Sequence, residues 1–206
     1  MFITLEGPDG SGKSSHVSPL ADFMRQQGYQ VLTTREPGGT EISNQVRTVI
    51  MQMKNQAMHP RTETLLFCAA RAQLIEQVIL PHLQQGDIVL SDRYADSTLA
   101  YQGYGHQRDL VHLRQLLEYT TGGLWPDFTL LLDVDAETGL KRRKSGGGEW
   151  NRLDAYDLAF HQRVRLGYME LVRQQPERWS IIDASLPFDV VQSALRQAVL
   201  QRLAKQ

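Results

Sequence analysis

The sequence predicts an α/β fold: a three-layer sandwich in which a parallel sheet of about five strands is covered by helices on both faces. Three observations predict it. Strand-like apolar runs alternate with helical segments along the whole chain. Residues 7–14, Gly-Pro-Asp-Gly-Ser-Gly-Lys-Ser, fit the pattern G-x-x-x-x-G-K-[ST] and lie between a strand and a helix. Four strand ends carry polar or glycine-rich stretches, and in parallel sheets ligands gather at those ends. No internal repeat or interdomain linker is visible, so residues 1–206 read as one domain.

The elements follow in order. Residues 2–5 form the first strand, and 13–27 a helix stopped at Gly28. Pro19 is expected to kink that helix or loosen its first turns. Residues 30–34 are a strand, 35–40 a loop by their Pro and Gly content, and 40–51 a helix that Thr40 could cap. Pro60 opens a long helix to about residue 85, closed by Gly86 and expected to bend at Pro81. Residues 87–91 are a buried-type strand, and 109–119 a helix ended by Gly122 and Gly123. The most apolar strand is 128–134, followed by a helix over 136–144 that runs into Gly146, Gly147 and Gly148. Residues 153–174 form another long helix, 179–183 the last strand and 190–205 the last helix.

Composition sets limits. At 41% hydrophobic residues the chain has enough for a core. No apolar run approaches the roughly 20 residues that span a bilayer. The N-terminus enters a strand directly, without a basic leader. The one cysteine, Cys68, cannot make an internal disulfide, and the cytoplasm is the default expectation. A net charge of −1 offers nothing that would attract nucleic acid globally.

The glycines of the loop allow backbone angles that turn successive N–H groups onto phosphate oxygens, and the following helix N-terminus adds positive potential. Gly7, Pro8, Asp9, Gly10, Ser11, Gly12, Lys13, Ser14 and Ser15 are therefore candidate nucleotide-binding residues. Lys13 can reach terminal phosphates, and the Ser14 hydroxyl can ligate magnesium. Asp92, at the end of a buried strand, is the second candidate for holding magnesium, directly or through water. Arg93 beside it offers a fork of donors suited to a phosphate. If the next segment is helical, Thr98, Tyr101 and Gln102 share one face and Ser97 projects one step around. Phe67 and Arg71, four apart on the long helix, could receive a planar base by stacking and hydrogen bonding. The same pair also fits a core ring and a solvated charge.

These residues together resemble the thymidylate kinase family of P-loop nucleoside monophosphate kinases. Four pieces carry the resemblance in order: Glu6-Gly7-Pro8-Asp9-Gly10-Ser11-Gly12-Lys13-Ser14, Arg35-Glu36-Pro37-Gly38-Gly39-Thr40, Phe67-Cys68-Ala69-Ala70-Arg71, and the block from Asp92-Arg93-Tyr94 to Tyr101-Gln102. The resemblance covers essentially the whole chain and implies a P-loop NTPase sandwich. It implies transfer of the γ-phosphoryl group of ATP to dTMP with magnesium as cofactor, by a homodimer that acts on small molecules. It also implies roles by position. Asp9 would accept from the sugar 3′-hydroxyl. Phe67 would stack on thymine and Arg71 would donate to a thymine carbonyl. Arg93 would hold the dTMP phosphate, with Arg35 nearby. Ser97, Thr98 and Gln102 would line the base pocket, and Tyr101 would crowd the place of a 2′-hydroxyl. Residues 183–186 would lie near adenine.

Members of this family place a catalytic arginine either in the phosphate loop, just after the acidic residue, or in a lid. Here the loop position is Gly10, so a lid near residues 141–152 is expected to supply the cation. Arg142 and Arg143 are the favoured catalytic candidates beside Lys13 and Arg93; Lys144 and Arg152 are alternatives, and Arg142 could instead stack on adenine. A helix C-terminus complemented by its cations is the plainer reading of the same basic cluster. Two other functions fit a phosphate loop: a nucleotide-dependent switch, and a kinase for another deoxynucleotide or deoxynucleoside. The first as a GTPase would need an Asn-Lys-x-Asp motif, which is absent; a deoxynucleoside kinase would need a carboxylate base near the acceptor hydroxyl.

Overall fold

Strand β1 (Phe2–Glu6) is buried along its whole length because it lies at the centre of a five-stranded sheet. The structure, a computed structural model, describes residues 1–146 and 150–204. The other strands are β2 (Val31–Arg35), β3 (Ile88–Asp92), β4 (Phe128–Asp133) and β5 (Trp179–Asp183). Their order is β2-β3-β1-β4-β5, and every pairing is parallel. Register aligns Leu5 with Asp92, Arg35 with Asp92, and Asp133 with Asp183, so the polar strand ends emerge at one edge. β1 lies where the chain order reverses, the usual crevice for a ligand.

Strand alternation splits the core in two. Ile3, Leu5, Leu90, Leu130, Leu132 and Ile182 face helices α1 (Lys13–Gln26) and α9 (Phe188–Leu203), through Leu20, Met24, Val191 and Leu195. Phe2, Val89, Leu131 and Trp179 face the opposite layer. That layer holds α3 (Pro60–Leu74), α6 (Leu110–Thr121) and α8 (Leu158–Gln174), the last through Val164 and Tyr168. The remaining helices are α2 (Glu41–Met51), the short α4 (Leu80–Gln84) and α5 (Ala95–Thr98), and α7 (Ala136–Ser145).

The caps are largely the sequence's own. Thr40, Asp109, Asp135 and Asp157 accept N–H groups at the starts of α2, α6, α7 and α8. α1 runs from Lys13 to Gln26 with Pro19 inside it. Three expectations change. The long helix departs from regularity before Pro81: Ile75–Ile79 form a π-helical turn between α3 and α4. The wider turn makes room for a proline ring that would otherwise meet the carbonyl one turn back. α8 starts at Leu158, not residue 153, because Asp157 caps it and Asn151 Oδ1 accepts from Leu153 and Asp154 N–H in a turn of its own. α9 begins at Phe188 behind Pro187. Lys205 of the expected last helix, and Gly147, Gly148 and Glu149 of the expected lid, lie outside the described residues.

The run Pro60–Gln84 contains an 18-residue window of mean hydropathy 1.2 and so passes for a membrane-crossing helix by length and composition alone. It carries two fully buried charged residues, Glu63 and Arg71, each held in an ion pair. That is the signature of a core helix.

Asp96 is fully buried and meets Arg178 through two parallel hydrogen bonds of 2.7 and 2.8 Å, while Arg178 also donates to Thr129 on β4. Removing one partner strands a buried charge. Asp96→Ala should therefore lower unfolding free energy by about 3 kcal/mol in urea titration, whereas Arg173→Ala, at an exposed pair on α8, should leave the midpoint in place.

Candidate functional site

β1 ends at Glu6, and the chain then curls through residues 7–12 into α1. This loop lies against α7. A side chain at Gly10, whose φ is +77°, would stand 1.9 Å from the Gly139 carbonyl oxygen. An arginine therefore has no room at position 10 without displacing α7, which gives a steric reason for cations to come from elsewhere. Lys13 folds back over the loop and donates to the carbonyls of Gly7 and Pro8, at 3.0 and 2.8 Å, and to Ser11 Oγ. Burial and the neighbouring Arg93 charge pull its amine down to about 8. Arriving phosphates would compete for those donors and favour the charged form.

Ser14 Oγ donates to Asp92 Oδ2, so the hydroxyl at the head of α1 and the carboxylate at the end of β3 meet across the crevice. Two hard oxygens at this spacing beside a phosphate loop suit magnesium, which takes its remaining ligands from phosphates and water. Among the described residues no cluster of three His, Cys, Asp or Glu forms a metal site of its own.

Arg93 adopts a left-handed backbone conformation, φ +73°. This costs on the order of 1–2 kcal/mol for a residue with a side chain. The turn is held because Arg93 N donates to the Leu5 carbonyl and Ser91 Oγ donates to the Arg93 carbonyl. The side chain is thereby thrown back over β1. Its Nη1 donates to the Gly7 carbonyl, Ser97 Oγ and Tyr168 Oη; its Nη2 donates to Asp9 Oδ1 at 2.7 Å and Tyr101 Oη at 3.0 Å. Tyr101 in turn donates to Asp9 Oδ2. Burial alone would raise the Asp9 carboxyl, but the Arg93 and Lys13 charges outweigh it and hold its pKa below the usual value.

One cavity of about 360 Å³ joins these groups. Asp9, Gly10, Gly12, Lys13, Ser14, Ser15, Arg35, Phe67, Asp92, Arg93, Ser97, Thr98, Tyr101, Gln102 and Arg143 all line it. A second chamber shares Gly10, Gly12, Ser15 and Arg143 with it and adds Ser11, Arg142, His16, Ala184, Leu186 and Phe188. Ser97 and Thr98 face the first cavity together with Tyr101 and Gln102 because Leu99–Gly105 wind as a π-helix, whose wider turn broadens the face.

Some expected residues stand elsewhere. Gly7 and Pro8 shape the loop from behind, with Gly7 against the Leu132 carbonyl. Arg71 is buried and does not line the cavity: it pairs with Glu36 at 2.7 Å and donates to Thr98 Oγ1 and the Tyr94 carbonyl. Arg142 donates to the carbonyls of Ala184 and Ser185, on the side of the second chamber, whereas Arg143 stands between the two chambers and pairs with Asp154. Arg152 is buried on Glu63. Lys144 lies over the Trp150 ring.

Sequence reasoning missed Arg47, which lines the cavity and donates to the Pro37 carbonyl. Its only signal was a cation on the helix that follows the glycine loop. It also missed the role of Glu6. That carboxylate is fully buried and accepts from Tyr94 N–H, Ser97 Oγ and Tyr168 Oη. Burial, followed by the Asp96 charge, pushes its pKa up to about 7. A folded value above the ordinary 4.5 of a free glutamate means that the fold favours the protonated form, so this contribution to stability is complete below about 4.5 and lost as pH rises through 7. Glu6→Gln should flatten the fall in melting temperature measured between about pH 5 and pH 8; an unchanged slope would place the titration elsewhere.

Comparison with known proteins bears on the geometry as a whole. A sequence model of the family described as Thymidylate kinase matches residues 5–195. The thymidylate kinase of Roseiflexus castenholzii is 49% identical, covering 99% of this chain and 94% of that protein. That of Herpetosiphon aurantiacus is 46% identical, covering 98% and 96%. A crystal structure of thymidylate kinase from Ehrlichia chaffeensis superposes with a TM-score of 0.77 at 33% identity, over 98% of each chain. With the phosphate loop, the Asp92-Arg93 strand end and the five-stranded parallel sheet all in place, the chain belongs to the thymidylate kinase family.

Proposed function

We propose that this chain transfers the γ-phosphoryl group of ATP to dTMP, releasing ADP and dTDP. The observation that carries the reading is the single cavity. Its one wall is a phosphate loop with Lys13 and the Ser14–Asp92 pair; its other wall is Phe67, Thr98, Tyr101 and Gln102; and Arg93 stands between them. The donor phosphates fit the loop, and the second chamber, lined by Arg142, Ala184 and Phe188, suits the adenosine end.

A phosphate acceptor needs no general base, because its attacking oxygen is already anionic. The carboxylates support that choice. Asp9 has one oxygen held by Arg93 and the other by Tyr101, with its pKa held down, which makes it a poor proton acceptor. Glu36 is bound to Arg71. A deoxynucleoside kinase would want a free carboxylate here. Catalysis instead rests on alignment and on cations that offset charge on the group in transit. Lys13 would leave the loop carbonyls for the donor phosphates, Arg93 would trade Asp9 for the acceptor phosphate, and Arg143 is placed to reach between them. Magnesium, held by Ser14 and Asp92, would supply further neutralisation of the phosphate oxygens. Asp9, released from Arg93, would accept from the sugar, and Arg35 and Arg47 would add positive potential at the acceptor end. The segment near residues 141–152 is read as the lid because it brings Arg142 and Arg143 to the two chambers. Homodimeric assembly and a cytoplasmic setting belong to the proposal on family resemblance; light scattering against the 23.4 kDa chain mass reads the first.

The test is ADP release from ATP and magnesium with dTMP, dUMP, UMP, dCMP or thymidine as acceptor. dTMP should turn over far faster than UMP, whose 2′-hydroxyl meets Tyr101; equal rates would contradict the acceptor pocket. Arg93→Ala should cut kcat on the order of a thousand-fold with the KM for ATP nearly unchanged. A collapse of ATP binding with intact acceptor kinetics would remove Arg93 from the acceptor side.

A further inference from the structure

Behind the acceptor cavity lies another buried carboxylate that the phosphoryl transfer does not use. Glu63 on α3 is fully buried, and each of its oxygens is held twice. Oε1 accepts from Gln102 Nε2 at 2.7 Å and lies 3.1 Å from His106 Nε2. Oε2 accepts from Tyr156 Oη at 2.9 Å and lies 2.6 Å from Arg152 Nη2. Arg152 is itself fixed by donating to the Ile50 carbonyl. The carboxylate can therefore neither rotate nor withdraw. Burial would raise its pKa, but the His106 hydrogen bond, the Arg152 charge and the Gln102 amide outweigh burial and hold it at about 2. It is an acceptor only.

That fixes the orientation of Gln102. An amide facing an ionised carboxylate must turn its NH₂ toward it, and its oxygen is then directed away. Gln102 Oε1 meets no donor among the described residues, is not sealed from solvent, and belongs to a side chain on the cavity wall beside Phe67 and Thr98. The wall thus presents a hydrogen-bond acceptor to whatever base enters. Thymine and uracil carry a donor at N3; cytosine carries an acceptor there.

We propose that Glu63, which does not touch the substrate, sets which pyrimidine the acceptor pocket takes, by holding the Gln102 amide with its oxygen toward the base. The inference rests on the acceptor-base reading of the cavity and extends it to a positioning residue on another helix. A site built around one donor–acceptor pattern rejects the reversed pattern strongly, since both partners are then left unpaired.

The isosteric change Glu63→Gln tests it. The new amide would keep its oxygen toward Arg152 and Tyr156, and its NH₂ would face Gln102, which would then turn its own NH₂ toward the base. The ratio of kcat/KM for dTMP to that for dCMP should fall about tenfold or more, with the KM for ATP unchanged. In a Gln102→Leu background the same change should leave the ratio where Gln102→Leu alone puts it. Equal losses with both nucleotides, or the same fall in ratio without Gln102, would show a merely structural role and overturn the proposal. Should Glu63→Gln not fold, the unsubstituted chain still decides. The Gln102 side-chain amide, followed by nitrogen-15 NMR, should be protected from exchange and unshifted from about pH 8 to about pH 5, because Glu63 stays ionised; exchange at the rate of a free amide would refute it. Failure of the unsubstituted chain to phosphorylate dTMP would sink the functional reading itself, a result distinct from an unmoved ratio.

Discussion

The site depends on one strained residue. Arg93 turns in the left-handed region at the end of β3, and only that turn sends its guanidinium back across β1 to the Gly7 carbonyl and Asp9. It ties the donor loop to the acceptor wall, since the same guanidinium reaches Ser97, Tyr101 and Tyr168. The parallel register makes this possible: Leu5 stands opposite Asp92, so the loop after β1 and the residue after β3 begin as neighbours. The conformational cost, of order 1–2 kcal/mol, is offset by hydrogen bonds on both sides of the residue.

Around Arg93 the charges are arranged in waiting pairs. Lys13 rests on the loop carbonyls, Arg93 on Asp9, Ser14 on Asp92 and Arg143 on Asp154. In the proposed reaction Lys13, Arg93 and Arg143 would each trade these partners for phosphate oxygens, with little reorganisation. The close approach of Gly10 to Gly139 bars a side chain at position 10, and in the proposed mechanism the basic end of α7 would supply the remaining charge.

Much of this was legible in the sequence, where the signal is local. The phosphate loop, the strand-helix alternation and the cap at Thr40 depend on residues close in the chain, and the structure has them as read. Asp92, Arg93 and Phe67 fall on the cavity because strand ends and helical spacing fix their direction. What escaped depends on distant partners. Arg71 looks available on its helix, yet Glu36, 35 residues away, captures it. Glu6 reads as the end of a strand; its burial comes from Tyr168 on α8. Glu63 reads as a first-turn acid on α3, and nothing local announces Gln102, Arg152 and Tyr156 around it. The π-helical segment Leu99–Gly105 likewise packs on a distant element, with Gly105 against Phe160 and Val164 of α8.

On the proposed mechanism Arg93 exchanges an internal carboxylate for the acceptor's phosphate while its backbone stays put. A crystal structure with dTMP and a non-hydrolysable ATP analogue bound together tests this most directly. In that complex Arg93 should donate to the dTMP phosphate with φ still positive, Lys13 should lie on the donor phosphates, and the Arg93–Asp9 contact should be open. A dTMP phosphate bound elsewhere, with Arg93 still closed on Asp9 and the Gly7 carbonyl, would contradict it.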